Sequence, residues 1–321
     1  MSVKVPDFSD VVAAAARIGP HVVRTPVMRS AAFDARVGAQ VFFKCENLQT
    51  GGAFKYRGAM NVVLQLDPAR TPLVVTHSSG NHGNALAMAA RARGMRAIVV
   101  VPRDSARSKI ANIEAAGARV ELCEPGLPAR EKRLAEILAT EPGELVHPFD
   151  DERIIAGQGT AALELLAEVP SLDAIGTPVG GGGLIGGTAL AAKGTVPHIR
   201  VIGAEPEQAD DAFQSFRSGE RRAVVAPKTI ADGLRGSIGV RNFELLRRLV
   251  DEVVTVSEVQ IVEAMRIVLA DFKLLIEPSS AVAVAAVLAG KLGRPGERVG
   301  LVISGGNIDL DLCPFLRGER L

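Results

Sequence analysis

Two features of the sequence carry chemistry. The first is Lys55 in "ENLQTGGAFKYRG" (46–58), with Gly51, Gly52 and Ala53 ahead of it and Phe54 and Tyr56 on either side. A lysine that only solvates a surface needs neither small nor aromatic neighbours. An amine kept from water has a lowered pKa and is nucleophilic when free, so it can form an imine with an aldehyde. The second is the run Gly180, Gly181, Gly182, Gly183 in "PVGGGGLIGG" (178–187). At the mouth of a helix such a run exposes backbone N–H groups with no side chains in the way, which suits an anion and best a phosphate. A phosphate-bearing aldehyde cofactor uses both features. Taken singly, Lys55 also reads as a snorkelling surface lysine and the glycines as a tight turn.

A nucleotide reading competes. "GGGGLIGG" contains G-x-G-x-x-G by overlap at 181–186, and Glu205 in "GAEP" stands where a ribose-binding acid would. An oxidoreductase using NAD stays open on this ground, but nothing in nicotinamide chemistry explains the framing of Lys55. The Walker form fails, since no Lys-Ser/Thr follows the glycines.

The elements that must position these residues alternate from residue 73 onward. "LVVTH" (73–77), "AIVVVP" (97–102), "RVELCE" (119–124) and "ELVHP" (144–148) read as strands. Helical periods lie between them at 84–94, 106–117 and 128–140. Further on come a helix at 157–169, the strand "LDAIGTPVG" with the glycine loop and a helix after it, the strand "HIRVIGAEP" (198–206), helices at 257–272 and 278–290, and the strand within "RVGLVISGGN" (298–307). Ser257 and Gln260 have capping-box spacing. Strands alternating with helices mean βαβ units and parallel sheets. The stretch 207–250 is less patterned and reads as a long excursion over one face. Glycine-bearing turns follow three strands, "THSSGNHG" (76–83), "PVGGGGLIGG" and "VISGGN" (302–307), so each lies at a strand's carboxyl end, where ligands of open α/β sheets collect.

Bulk numbers bound the rest. With 321 residues, 47% hydrophobic, the chain can form one large or two medium domains. A net charge of +1 argues against nucleic acid or an anionic membrane as partner. The three cysteines Cys45, Cys123 and Cys313 lack CxxC spacing, so reduced thiols are expected rather than disulfides or zinc. The first twenty residues do not read as a secretory signal, and no apolar run reaches transmembrane length. A cytoplasmic protein is the expectation.

At this point "GGAFKYRGAMN", "HSSGNHGNALA", "IAGQGTAALELL", "PVGGGGLIGG", "AEPEQADD", "TIADGL", "LLIEPSSAVAVAA" and "VISGGNID" resemble, in order, the serine/threonine dehydratase and serine racemase family. These are pyridoxal-phosphate enzymes of the tryptophan-synthase-β fold group. The likeness runs from about residue 20 to about residue 310. It implies α/β architecture of fold type II, with two open parallel-sheet α/β domains and the active site in the cleft between them. Residues 1–70 and 148–321 would form the large domain and 71–147 the small one. It further implies the short form without a regulatory domain, a homodimer, and a small-molecule amino-acid substrate.

Carried over residue by residue, Lys55 matches the Schiff-base lysine and Phe54 the residue before it. Asn81 matches the asparagine on the cofactor's phenolic oxygen, Gly180 to Gly183 the phosphate loop, and Ser304 the residue facing the pyridine nitrogen. Ser78, Ser79, Gly80, Asn81 and His82 match the loop that holds the substrate carboxylate, and Arg130 an arginine near the substrate's far end in the racemases. Glu205, Ala209 (through its carbonyl) and Asp211 match the ligands of a divalent cation, Mg²⁺ or Ca²⁺. The chain departs from the pattern at Gly51, where the family carries threonine, and at Gly236 in "LRGSIG", where eukaryotic racemases have a serine. "HPFDD" (147–151) looks dehydratase-like.

The resemblance implies β-elimination from a 3-hydroxy amino acid of the L-threonine or L-serine type, giving a 2-oxo acid and ammonia. Serine racemisation, or dehydration of 3-hydroxyaspartate or a bulkier substrate such as phenylserine, are the alternatives within the family. Freed Lys55 takes the α-proton. An aspartate opposite the pyridine nitrogen would keep it protonated, whereas Ser304 does not, which favours elimination over transamination. Ser79 stands where dehydratases acting only on threonine commonly have alanine and racemases have serine. Its hydroxyl suits proton delivery to the face opposite Lys55, or plain carboxylate binding. Threo-3-hydroxyaspartate dehydratases carry serine there too. His82 reads as a helix-start packing residue before a general base, and Arg130 equally as an exposed charge.

Overall fold

A computed structural model describes residues 4–313. In chain order the elements are α1 (Phe8–Ile18), β1 (Val27–Met28), α2 (Ala31–Val37), β2 (Gln40–Cys45), α3 (Lys55–Val63), β3 (Leu73–His77), α4 (Asn81–Ala92), β4 (Arg96–Pro102), α5 (Arg107–Ala115), β5 (Arg119–Cys123), α6 (Leu127–Thr140) and β6 (Glu144–Leu145). They continue with α7 (Glu152–Glu168), β7 (Ala174–Pro178), α8 (Gly183–Thr195), β8 (Arg200–Pro206), α9 (Asp211–Ser218), α10 (Val240–Leu249), β9 (Glu252–Val256), α11 (Glu258–Phe272), α12 (Pro278–Leu288) and β10 (Arg298–Ile303).

These strands form two sheets. One has six strands in the order β1-β2-β10-β7-β8-β9, the other four in the order β5-β4-β3-β6. The α/β expectation with parallel sheets therefore holds. The exception is the two-residue edge strand β1, which runs antiparallel to β2. β7 and β10 are buried along most of their length, as continuous apolar strands covered on both faces must be. The nearly all-apolar helix α12 is buried from Pro278 to Val287 and lies in the core of the larger sheet. In the same core the rings of Phe43 and Phe272 stack at 4.2 Å. Ser257 and Gln260 form the expected capping box at the start of α11.

The less patterned stretch 207–250 is partly helical. It holds α9 and α10, both short and amphipathic, with only three and four residues buried. Their apolar stripes are interrupted by Arg217, Arg247 and Arg248, which hides the period. Helix α7 begins five residues before the expected start, and the strand expected at 144–148 pairs over only two residues.

Three helices approach one another through glycine. A side chain at Gly157 of α7 would lie 2.6 Å from the Gly58 Cα of α3, and one at Gly159 would lie 2.6 Å from the Gly187 carbonyl oxygen of α8. Lys55 opens α3 and the glycine loop opens α8, so these contacts fix the spacing of the two features that carry the chemistry. Helix α3 also places Tyr56, Ala59, Met60, Val62 and Val63 in the core under the smaller sheet, beside Val74, Leu86 and Val99. Among the described residues no helix is long and apolar enough to cross a membrane.

A Cβ at Gly187 would stand 2.3 Å from the Ile155 carbonyl oxygen, which is backbone and cannot rotate away. Gly187→Ala should lower stability by about 1–3 kcal/mol in urea unfolding. Gly19→Ala, with right-handed backbone and nothing within 4 Å of the added methyl, should be near neutral. Equal effects would contradict the close-approach account.

Candidate active site

Lys55 emerges from a turn that only small residues permit. Gly51 and Gly52 have left-handed backbone, φ +74° and +75°, and a Cβ on Gly52 would meet the Asn307 Oδ1 at 2.3 Å. The turn lies on the one after β10. Phe54 N–H donates to the Ser304 carbonyl at 2.9 Å, Gly306 N–H donates to the Gly52 carbonyl, and Ala53 bridges Gly305. The half-buried Lys55 side chain donates from Nζ to the Pro148 carbonyl at 2.8 Å, and Nζ lies 5.1 Å from the centre of the Phe54 ring. Loss of hydration pulls its pKa down to about 8, against the opposing pull of the Glu277 carboxylate.

Two residues on, Arg57 has no solvent exposure. It donates to Glu46 through Nε and Nη2, to Glu164 through Nη1 and Nη2, and to Thr160 Oγ1. Buried Lys44 joins the same Glu164 at 2.6 Å, and Thr25 Oγ1 donates to Glu46. This network was not legible from the sequence, because its partners lie up to 120 positions apart.

The four loop glycines face protein as well as open donors. A Cβ on Gly181 would enter the Phe149 ring at 2.2 Å, one on Gly180 would meet Leu234 Cα at 2.9 Å, and one on Gly182 (φ +89°) would meet Asn242 Cβ at 2.6 Å. The Gly181 carbonyl accepts from Gly239 N–H and Asn242 Nδ2. That bond directs the loop's oxygen into protein. The first N–H groups of α8 have no intrahelical acceptor, which leaves them for an anion. The cradle thus fits a phosphate. Phe149 comes from the "HPFDD" segment and packs its edge on His147. Asp150 in that segment accepts from Val240 N–H and Arg241 N–H and so caps α10. Gly236 is not forced by crowding, since a methyl there would stand 3.6 Å from the Phe149 ring, an ordinary contact.

The loop Ser78–His82 joins β3 to α4 and is half-buried up to Asn81. Gly83 lets it fold back, because a Cβ there would be 2.5 Å from the Ser78 carbonyl oxygen. Helix α4 has no side-chain cap, so its N-terminal donors remain open beside Ser79 and Gly80. Asn81 donates from Nδ2 to both Glu277 oxygens at 3.0 Å and accepts from Asn307 Nδ2 at 2.9 Å. Glu277 was not singled out from the sequence, although a carboxylate directly ahead of an all-apolar helix was a usable signal. Burial raises its pKa to about 7, helped by Asp232 and opposed by the Asn81 hydrogen bond.

His82 is buried with its ring near the Val146 backbone but without a well-formed hydrogen bond, and desolvation holds it well below the usual histidine range. His77 is likewise depressed to about 4, by burial first and then by the charge of Arg130. Arg130, on α6, thus acts on His77 through its charge, and its Nε donates to the Gly126 carbonyl. Ser304 is buried, its Oγ 2.9 Å from the Ser280 Oγ. At the rim, Lys109 pairs with Asp232 and Ser108 donates to Asp309, joining α5 to segments of the larger sheet.

Glu205 lies in β8, Asp211 opens α9, and Ala209 lies in the turn between them. Glu205 accepts from the Ala212 and Phe213 N–H groups, and Asp211 Oδ2 accepts from Ile238 N–H. Burial lifts both carboxyls, Glu205 well above the usual range with Asp211 adding to it, and Asp211 to about 6. Asp211 Oδ1 has no partner. Two buried acids, one with an open oxygen, and a nearby carbonyl fit a hard cation. Among the described residues no group of three or more His, Cys, Asp or Glu side chains could hold a metal by themselves.

A desolvated lysine and an anion cradle at the carboxyl ends of parallel strands define an enzyme that anchors a phosphorylated aldehyde cofactor. The chain belongs to the pyridoxal-phosphate dependent enzyme family, whose profile matches residues 18–305. It is 45% identical over 312 residues to a β-hydroxyaspartate dehydratase of Paracoccus denitrificans, covering 97% of this chain and 99% of that one. A serine racemase of Arabidopsis thaliana is 46% identical over 300 residues, 92% of this chain and 91% of that one. The solved structure of maize serine racemase superposes with a TM-score of 0.93 at 42% identity, over 96% of this chain and 95% of that one.

Between its unfolded value of 4.5 and its folded value of about 7, Glu277 binds a proton in the native protein that the unfolded chain has released. Its contribution to stability is present below about pH 4.5 and is lost as pH rises through 7. In cofactor-free protein, the stability of wild type relative to Glu277→Gln should fall by about 3 kcal/mol between pH 4.5 and pH 8 in urea unfolding. A difference that does not vary with pH would show that the carboxyl is not the titrating group.

Proposed function

We propose that the protein is a pyridoxal-phosphate-dependent lyase that converts a 3-hydroxy amino acid of the L-threonine or L-serine type to a 2-oxo acid and ammonia. The observation that carries this reading is the Lys55 amine, held partly deprotonated by burial, beside the uncapped glycine start of α8. The cofactor supplies an aldehyde that combines with amines and a conjugated ring that stores the electron pair left on the α-carbon.

Lys55 would hold the cofactor through its amine, and the same amine would take the substrate's α-proton. The open N-terminus of α4, with Ser78, Ser79, Gly80, Asn81 and His82, binds the α-carboxylate. Asn81, oriented by Glu277 and Asn307, would hold the phenolic oxygen, and Phe54 would back the amine. Gly180, Gly181, Gly182 and Gly183 would hold the phosphate, and Ser304 would face the ring nitrogen. Water leaves from the β-carbon, and the enamine that departs hydrolyses to the 2-oxo acid and ammonia.

The charge of Arg130, felt at His77, favours a second reading, 3-hydroxyaspartate, whose extra carboxylate a guanidinium would hold. The name of the Paracoccus denitrificans relative supports it. Glu205, Asp211 and the Ala209 carbonyl would hold Mg²⁺ or Ca²⁺, relieving the repulsion between the two acids. A homodimer in the cytoplasm, with residues 71–147 as a smaller domain on a larger one, completes the proposal.

Purified enzyme should be yellow, and borohydride should bleach it and leave the cofactor's mass on Lys55; no adduct, or an adduct elsewhere, would overturn the assignment. Colourless protein that binds NAD would favour an oxidoreductase. A panel of L-threonine, L-serine, 3-hydroxyaspartate and phenylserine, scored for 2-oxo acid, separates the substrates. Ser79→Ala should spare ammonia release and remove any D-isomer formed. Equal loss of both would contradict a proton donor on the face opposite Lys55.

A further inference from the structure

Asn242, the third residue of α10, has no solvent exposure and directs its amide at two carbonyls. Its Nδ2 donates to the Gly181 carbonyl at 2.7 Å and to the Phe149 carbonyl at 2.9 Å. Only the N–H₂ end of an amide can meet two carbonyl oxygens, so the orientation of the side chain is fixed. Its Oδ1 is left buried without a partner against α8, where a Cβ on Gly186 would stand 3.1 Å from it. A buried acceptor left unpaired costs free energy, which an apolar side chain of similar size avoids. Packing alone therefore does not account for an amide at this position.

A trans peptide is planar, so its C=O and N–H point in opposite directions. The Gly181 carbonyl is held against α10 by Asn242 and, at 3.1 Å, by Gly239 N–H. The Gly182 N–H is thereby turned to the side away from α10. Among the described residues none of the N–H groups of Gly180, Gly181, Gly182 and Gly183 has an acceptor, although three of the four glycines are buried. A peptide between two glycines rotates at little cost, since neither neighbour carries a Cβ. Unpinned, the Gly181 oxygen would be free to swing toward these donors and set a carbonyl against an anion.

We propose that Asn242 is a positioning residue for the cofactor phosphate: by holding the Gly181 carbonyl against α10 it keeps the Gly182 N–H directed at the anion. This rests on the pyridoxal-phosphate reading with the phosphate in the glycine loop. The same amide reaches the other half of the site. The Phe149 carbonyl that it holds is one residue beyond the Pro148 carbonyl that accepts from Lys55 Nζ. The Phe149 ring fills the space that a Cβ on Gly181 would need. One side chain thus joins the phosphate loop to the segment 148–150, and Asp150 of that segment caps α10 in return.

The test titrates cofactor-free protein with two probes, pyridoxal 5′-phosphate and pyridoxal, which has the same aldehyde and ring but no phosphate. Asn242→Ala should weaken pyridoxal 5′-phosphate by about tenfold or more, the worth of one hydrogen bond to a charged group, and leave pyridoxal within about twofold of wild type. Asn242→Asp, equal in size but without N–H groups, should weaken the phosphorylated probe further, because its oxygens repel both carbonyls. Asn242→Thr, whose hydroxyl still donates one proton, should fall between wild type and Asn242→Ala. Unchanged affinity for pyridoxal 5′-phosphate would overturn the proposal, and so would an equal loss for both probes, which is what a merely structural role gives. Amide exchange in wild type provides a readout that does not depend on the variants folding. Loading with pyridoxal 5′-phosphate should slow exchange at the Gly182 N–H, and equal exchange with and without it would sink the proposal independently. Wild type that takes up neither probe overturns the functional reading itself, a result distinct from variants that bind as wild type does.

Discussion

A guanidinium without solvent exposure, two residues beyond the reactive amine, is the constraint on which the site depends. Arg57 offers five N–H groups in a rigid fork, and carboxylates from the end of β2 and from α7 take most of them in paired contacts. With Lys44 the cluster holds two cations against two anions, so no net charge is buried. Removing one member would leave an uncompensated ion in the interior, a penalty of about 3–5 kcal/mol. The clamp fixes the first turn of α3 in rotation and translation. The glycine contacts to α7 and α8 then carry that placement to the phosphate cradle. The alignment of amine and cradle is thus set by groups that touch neither substrate nor cofactor.

Around this frame, burial rather than ion pairing tunes the titrating groups. Desolvation is the largest influence on Lys55, Glu277, His77 and His82 alike, and in each case it favours the neutral form. At neutral pH the two histidines are therefore neutral, while Lys55 and Glu277 sit close enough to neutrality for both of their forms to be within reach. The remaining polar capacity of the cleft floor lies in helix N-termini, amides and hydroxyls. Such groups bind charged substrates without holding strong counter-ions in place when the site is free.

Lys55, the glycine loop and the turn after β10 were legible because their residue types are unusual for their positions: one lysine among small residues, four glycines in a row, a glycine turn directly after a strand. The parallel sheets followed from the alternation of short apolar runs and helical periods. Arg57, Glu277, Ser280 and Phe149 were not singled out, although each lies in a recognised motif, since what gives them meaning is a partner distant in sequence. Glu46 and Glu164 meet only across α3, and Ser280 meets Ser304 only because α12 packs under β10. The glycines of 180–183 carried half their message. Their open N–H groups could be anticipated, but the tight fit against Phe149 and Asn242 required the fold. Helices α9 and α10 escaped because short amphipathic segments dotted with arginine lack a clear period.

The contacts at the rim bear on opening of the crevice. The Lys109–Asp232 ion pair and the Ser108–Asp309 hydrogen bond are both exposed, and an exposed ion pair contributes at most about 1 kcal/mol. Beneath them α3 lies in one apolar core and packs on α7 of the other layer. Parting the lips of the crevice would disturb neither interior. Opening at the lips therefore costs little beside the energy held in either core.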